Sequence, residues 1–220
     1  MGNQTIKITL ASLTIAGAAL TLFFTFYPLP PRLDAVPHEA LGQAVAQEAS
    51  KLLGSGGRIL LIARDTRTFP NPAADVQIRS FLQTLKQSGL RVGFTNLVKL
   101  DPLRVVGVPP GDFFQILKRG SDADVVVSFL GPATLSEEQV AKLGDKAPKV
   151  IAVCTGEMPR QVNLKRLFEQ KLLHAAVISR RGLAAAPPAS GRGREWFDYL
   201  FAMVRPGDFS ELPAPAADGR

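Results

Sequence analysis

The sequence predicts an α/β protein: an N-terminal transmembrane helix followed by a five-stranded parallel sheet flanked by helices. Three observations lead there. Residues 8–27 contain no charged side chain. From Arg58 onward, short β-rich apolar runs alternate with stretches whose apolar residues recur at helical spacing. No long hydrophilic gap separates them, and such alternation builds parallel sheets with right-handed crossovers.

Twenty residues, 8–27, span about 30 Å as a helix, the thickness of a bilayer core. Their Ser and Thr hydroxyls can bond back to the preceding turn. Phe23, Phe24, Phe26 and Tyr27 thicken the far end as an interfacial aromatic belt would. Pro28, Pro30 and Pro31 then stop the helix by removing backbone donors. Ala16-Gly17-Ala18 resembles a signal-peptide cleavage site, but cutting there leaves an exposed apolar end. The reading is therefore an uncleaved signal-anchor, residues 1–31, with the soluble domain outside: periplasmic in a bacterium. Ser12, Ala16 and Ala19 share a face on which a partner helix could pack.

Residues 32–57 read as a helical spacer, with Leu41, Val45, Ala49 and Leu52 on one face and Gly54, Gly56 and Gly57 stopping it. His38, in its first turn, reads as a solvated residue. The α/β domain follows over 58–180. "RILLIA" (58–63) is a strand buried on both faces. Asn71-Pro72 caps a helix lined by Ile78, Phe81, Leu82 and Leu85 and closed at Gly89. "RVGFTNL" (91–97) is the second strand, followed by a longer connection with a small hairpin about Asp101-Pro102. "DFFQILKR" is a short helix and "DVVVSFL" (124–130) the third strand. Ser136 to Gln139 is a capping box opening the next helix, with Leu135 and Val140 placed as a hydrophobic staple. "KVIAVC" (149–154) is the fourth strand. Leu164, Leu167, Phe168 and Leu172 mark another helix, and "HAAVIS" (174–179) the fifth strand. Five strands suggest the Rossmann-like, flavodoxin-like order 2-1-3-4-5. Residues 181–206 read as a linker and a terminal aromatic helix, "REWFDYLFAMV", and 207–220 as a disordered tail.

Composition narrows the function classes. The 220 residues are 46% hydrophobic, enough for one ordinary domain plus an appendage. Cys154 is the single cysteine, which excludes a disulfide framework and a cysteine-based metal cluster; two histidines exclude a histidine-rich one. The net charge of +7 suits acidic partners, but the arginines are spread and no nucleic-acid motif is present. There is no G-x-G-x-x-G after a strand, no phosphate loop and no G-x-S-x-G elbow. Cys154 has no base in reach, and no acid/base pair is set by spacing. No cofactor, no metal and no catalysis are expected.

In such sheets ligands sit beyond the carboxyl ends of the strands. Those ends carry Arg64 and Asp65, then Gly131, then Thr155 and Glu157, with Asn71 opening the first crossover helix. They are the candidate ligand-binding residues. A separate candidate surface for a protein partner is Trp196, Tyr199 and Met203 with Arg180, Arg181 and Arg194: exposed aromatics beside arginines are typical interface anchors.

"ILLIARDTRTFPNPAADVQIRSFLQTLKQSGLRV", "ADVVVSFLGP" and "KVIAVC" together resemble the first lobe of type-I periplasmic sugar-binding proteins. The resemblance covers about half of the chain and concerns the fold. It implies a ligand site at Asp65, Asn71 and Gly131. That family closes two lobes on its ligand, and this chain has one.

Two functions fit these features. One is a single-pass accessory or scaffold subunit of a membrane complex, with other membrane subunits and the lipid around 8–27 as partners. The alternative is a tethered binding protein for a small, sugar-like ligand at the strand ends.

Overall fold

The computed structural model describes residues 12–23, 33–99, 107–180, 186–188 and 193–212. The chain divides into two units, Met1–Leu33 and Asp34–Arg220. In the first, residues 12–23 form a helix, α1, in which the Thr21 hydroxyl donates to Gly17 O at 2.9 Å. Among the described residues no helix is long and apolar enough to cross a membrane. This corrects the transmembrane helix expected over 8–27, and with it the signal-anchor and the lipid contact; the flanks of that stretch lie outside the described residues.

The second unit opens with α2 (Ala35–Leu52), capped by Asp34, whose carboxylate accepts from Val36 N. This segment reads as a spacer in the sequence, yet Leu41, Val45, Ala46 and Ala49 are fully buried. Its small residues let it lie close to its neighbours. Then come β1 (Ile59–Arg64), α3 (Pro72–Gln87), β2 (Val92–Val98), α4 (Pro110–Arg119), β3 (Val125–Ser128), α5 (Glu137–Leu143), β4 (Lys149–Cys154), α6 (Met158–Gln161), α7 (Leu164–Glu169), β5 (Ala175–Ser179), α8 (Gly193–Leu200) and β6 (Phe201–Val204). The capping residues act as their sequence dictates: Asn71 accepts from Ala74 N, and Ser136 and Gln139 form a reciprocal capping box.

The sheet order is β2-β1-β3-β4-β5-β6. The first five strands are parallel, in the order expected. The sixth pairs antiparallel with β5, from Ser179 opposite Phe201 to Ala176 opposite Val204. This corrects the five-stranded sheet and the single terminal helix: α8 ends at Leu200 and the chain turns directly into a strand. Phe201 and Val204 are buried, but against the sheet edge rather than along a helix face. The expected hairpin about Asp101 and residues 213–220 lie outside the described residues. Phe209, in what reads as tail, rests its ring 5.7 Å from that of Phe168.

Alternate residues of each strand feed opposite faces. Ile59, Leu61 and Ala63 join Leu41, Phe81 and Phe197 under α2, α3 and α8. Leu60 and Ile62 join Phe113, Leu117 and Leu167 under α4 and α7. Two ion pairs fasten the ends. Asp124, 2% exposed, accepts from Arg58 N at 2.6 Å and from Arg58 Nη2 at 3.0 Å. Glu48, 4% exposed, is held by Arg205 through Nε at 2.7 Å and Nη2 at 2.6 Å, which ties α2 to the end of β6.

The Arg205 guanidinium bonded to it holds the Glu48 carboxyl below its ordinary value near 4.5, against the opposing effect of burial. Its contribution is therefore complete above that value and disappears as pH falls through the lower folded-state value. Arg205→Leu is expected to cost about 1–2 kcal/mol at pH 7 in denaturant unfolding, since it strands a buried carboxylate beside a half-exposed partner. The deficit should shrink steadily in the same measurement repeated from pH 5 downward; a deficit independent of pH would show that Arg205 acts through packing alone.

Candidate functional site

A cavity of about 600 Å³ lies at the carboxyl ends of β1, β3 and β4, beside the first turns of α2 and α3. The crossover after β1 leads to β2 on one side and the chain then returns to β3 on the other, so the strand order reverses between β1 and β3. A crevice opens at that point because the helices leave in opposite directions.

Its floor is apolar: Ile78, Phe129, Leu130 and Val153. Phe129 stands edge-on to Phe81, with centroids 5.5 Å apart at 76°. Its polar lining is His38, Arg64, Asn71, Gln77, Thr155, Glu157 and Gln161. Four of the six strand-end candidates, Arg64, Asn71, Thr155 and Glu157, thus surround one space. The other two stand behind it. Asp65, 7% exposed, accepts from Arg67 Nε at 2.8 Å and Nη2 at 2.7 Å, and this pairing pulls its pKa down to about 2. Gly131 makes the turn after β3 at φ +73, and Ser128 Oγ donates to its carbonyl at 2.6 Å. A Cβ there would meet Met158 Sδ at 1.9 Å and displace that side chain, and the positive φ itself favours glycine.

Sequence reasoning missed His38 and Gln77. Their side chains meet at 3.1 Å, Gln77 Nε2 to His38 Nδ1, across the α2–α3 contact. Burial pushes the His38 pKa down, against a smaller raising effect of Asp34, so the ring is neutral at pH 7. Gly42 makes this contact feasible: a Cβ on it would come within 2.3 Å of Gln77 O. Nearby, Ser80 Oγ donates to Glu39 O at 2.8 Å. The signal was available in the small residues of α2, which mark a close helix crossing.

Cys154 is fully buried below the site, and burial pushes its thiol pKa up, away from nucleophilic use. His174 lies at the start of β5, its Nδ1 accepting from Val150 N at 3.2 Å. Among the described residues, no group of three His, Cys, Asp or Glu side chains could hold a metal ion.

The expected partner surface is largely engaged within the molecule. Trp196 and Met203 rest half-buried against the core, and Trp196 meets Tyr199 edge-on at 6.0 Å. Arg180 Nε donates to Phe201 O at 3.1 Å and its Nη1 to Glu211 at 2.8 Å; Arg194 pairs with Asp198 at 2.9 Å. Arg181 lies outside the described residues.

No protein-family model and no curated protein sequence matches this chain. Solved structures do. An arabinose-binding protein from Geobacillus stearothermophilus superposes with a TM-score of 0.52 at 17% identity, over 80% of this chain and 63% of that one. A carbohydrate transporter solute-binding protein from Agrobacterium radiobacter, in complex with D-arabinose, gives 0.47 at 14% identity, over 81% and 61%. A periplasmic ribose ABC transporter protein from Conexibacter woesei gives 0.46 at 14%, over 64% and 45%. The chain therefore spans between 45% and 63% of the length of these proteins. The likeness to periplasmic sugar-binding proteins that the sequence suggests is present as a likeness of fold.

Gly42→Val should destabilise the protein by about 1–3 kcal/mol, because the added side chain must force α2 from α3. Denaturant unfolding of the variant measures this. A stability equal to that of the parent would mean that the crossing is looser than 2.3 Å requires.

Proposed function

We propose that this protein binds a small, polar, sugar-like ligand in the crevice at the carboxyl ends of β1, β3 and β4. The single observation that carries the reading is the cavity at the reversal of strand order. Its volume falls within the several hundred Å³ typical of small-molecule sites, and its makeup, an apolar floor with convergent polar groups, suits a hydroxylated ring.

Each polar group keeps bonding capacity for such a ligand. Asn71 Oδ1 is used by Ala74 N, which leaves its NH₂ to donate. Gln77 Nε2 is used by His38, which leaves Gln77 Oε1 to accept. Phe129 offers an aromatic surface to apolar C–H faces. Hydroxyl recognition needs this mixture of donors and acceptors, since each sugar OH can do both. Solved proteins of similar fold are described as binding arabinose or as periplasmic, and an extracytoplasmic setting is part of the same proposal. These observations favour ligand binding over a role as a membrane-complex subunit, whose anchor has no counterpart among the described residues.

Thermal denaturation in the presence of monosaccharides and their acids tests the proposal. A ligand at about a hundred times its Kd should raise the melting temperature by about 5 °C or more. Asn71→Ala and Thr155→Val should each reduce that shift while leaving the ligand-free melting temperature within a few degrees. A folded protein that no member of the panel stabilises would overturn it.

A further inference from the structure

We infer that the ligand of this crevice carries an anionic group, a carboxylate or phosphate, seated on Arg64. The inference rests on the ligand-binding reading above and names the chemistry of its ligand.

Arg64 is the last residue of β1, opposite Val98 of β2, and it lines the cavity. Among the described residues, every other arginine is exposed; Arg64 is drawn into partial burial. Several exposed arginines have carboxylates: Arg58 with Asp124, Arg67 with Asp65, Arg160 with Glu157, Arg180 with Glu211, Arg205 with Glu48; Arg79, Arg91 and Arg119 stand in solvent, where water solvates the charge. Arg64 has none. Its Nε is sealed from solvent and meets no acceptor.

The two carboxylates that could have served it are occupied. Asp65, the next residue, is bonded in a fork by Arg67. Glu157, the carboxylate on the cavity wall, accepts from Arg160 Nη1 at 2.8 Å. The crevice therefore presents one guanidinium with its charge uncompensated. Removing a cation from water without a partner is unfavourable, and the fold holds Arg64 there through the register of a central strand. The Nη1 and Nη2 groups, which make no hydrogen bond among the described residues and are not sealed in the same way, are the donors an anionic ligand would meet, and their planar pair of N–H groups matches two carboxylate or phosphate oxygens at once.

Another part of the wall agrees in sign, while the Glu157 charge is offset by Arg160. Asn71, Ala73 and Ala74 belong to the amino-terminal end of α3, a sixteen-residue helix whose first N–H groups and dipole favour negative charge. The acid in that turn, Asp75, accepts from Thr66 Oγ1 at 2.8 Å and does not line the cavity. His38 and Gln77 then face the hydroxylated remainder of the ligand.

Isothermal titration with matched probes tests this: D-galactose against D-galacturonate, L-arabinose against L-arabinonate, D-ribose against D-ribose 5-phosphate, and inorganic phosphate alone. One charged member should bind at least about tenfold tighter than its neutral counterpart, which is the contribution of one charge-assisted contact. The carboxylate and phosphate arms identify which group is read. Arg64→Gln should erase the preference while circular dichroism shows the fold retained, and Arg64→Lys should keep part of it. If neutral sugars bind as tightly as their acids, and Arg64→Gln weakens both equally, the anion is overturned while the ligand-binding reading stands. If no probe binds to the folded protein, both are overturned.

Discussion

Burial of β1 on both faces is the constraint on which the rest of this molecule depends. Ile59 to Ala63 offer five consecutive apolar side chains, none more than 4% exposed. A strand of that kind has no face to give to water. It must sit at the centre of a sheet covered by helices on each side, and parallel neighbours can reach it only through crossovers. β2 and β3 take the two flanks, and the crossovers run in opposite senses. The crevice at the carboxyl ends is thus a by-product of a hydrophobic requirement. The polar lining of the crevice begins at Arg64, where the apolar run stops.

Charge does a different task at the margins of the fold. The buried carboxylates of Glu48 and Asp124 contribute little net energy through Coulomb attraction, because each costs desolvation. Their value is positional. Asp124 gathers backbone and side-chain donors of Arg58 and the Ser121 N–H, which fixes where β1 begins relative to β3. Glu48 draws Arg205 across from the end of β6 and so sets the limit of the sheet. At the cavity the same logic is left incomplete, with Glu157 turned to Arg160 and Arg64 left without a counterion.

Much of this architecture was legible in the residues, and the parts that were not share a physical cause. Short β-rich runs alternating with helical periods declared the five parallel strands, and Asn71-Pro72 and the box at Ser136 declared two of the helices. The sixth strand stayed hidden because "REWFDYLFAMV" satisfies a helical period throughout; only contact with β5 decides that Phe201 begins a strand. The apolar stretch 8–27 has the composition of a span, yet among the described residues no helix is long and apolar enough to cross a membrane. The strand ends located the cavity wall at Arg64, Asn71, Thr155 and Glu157. His38 reads as solvated in the sequence because sequence distance conceals its neighbour: Gln77 is thirty-nine residues away and meets it through the close approach at Gly42.

Cys154 carries a practical consequence. The chain has one thiol, and it is sealed beneath the sheet with its ionisation suppressed. A cysteine engineered at the rim of the crevice would be the sole sulfur that a maleimide dye could reach. An environment-sensitive fluorophore could be attached there with the native residue left in place, which would turn the molecule into a reagentless optical sensor for whatever occupies the crevice.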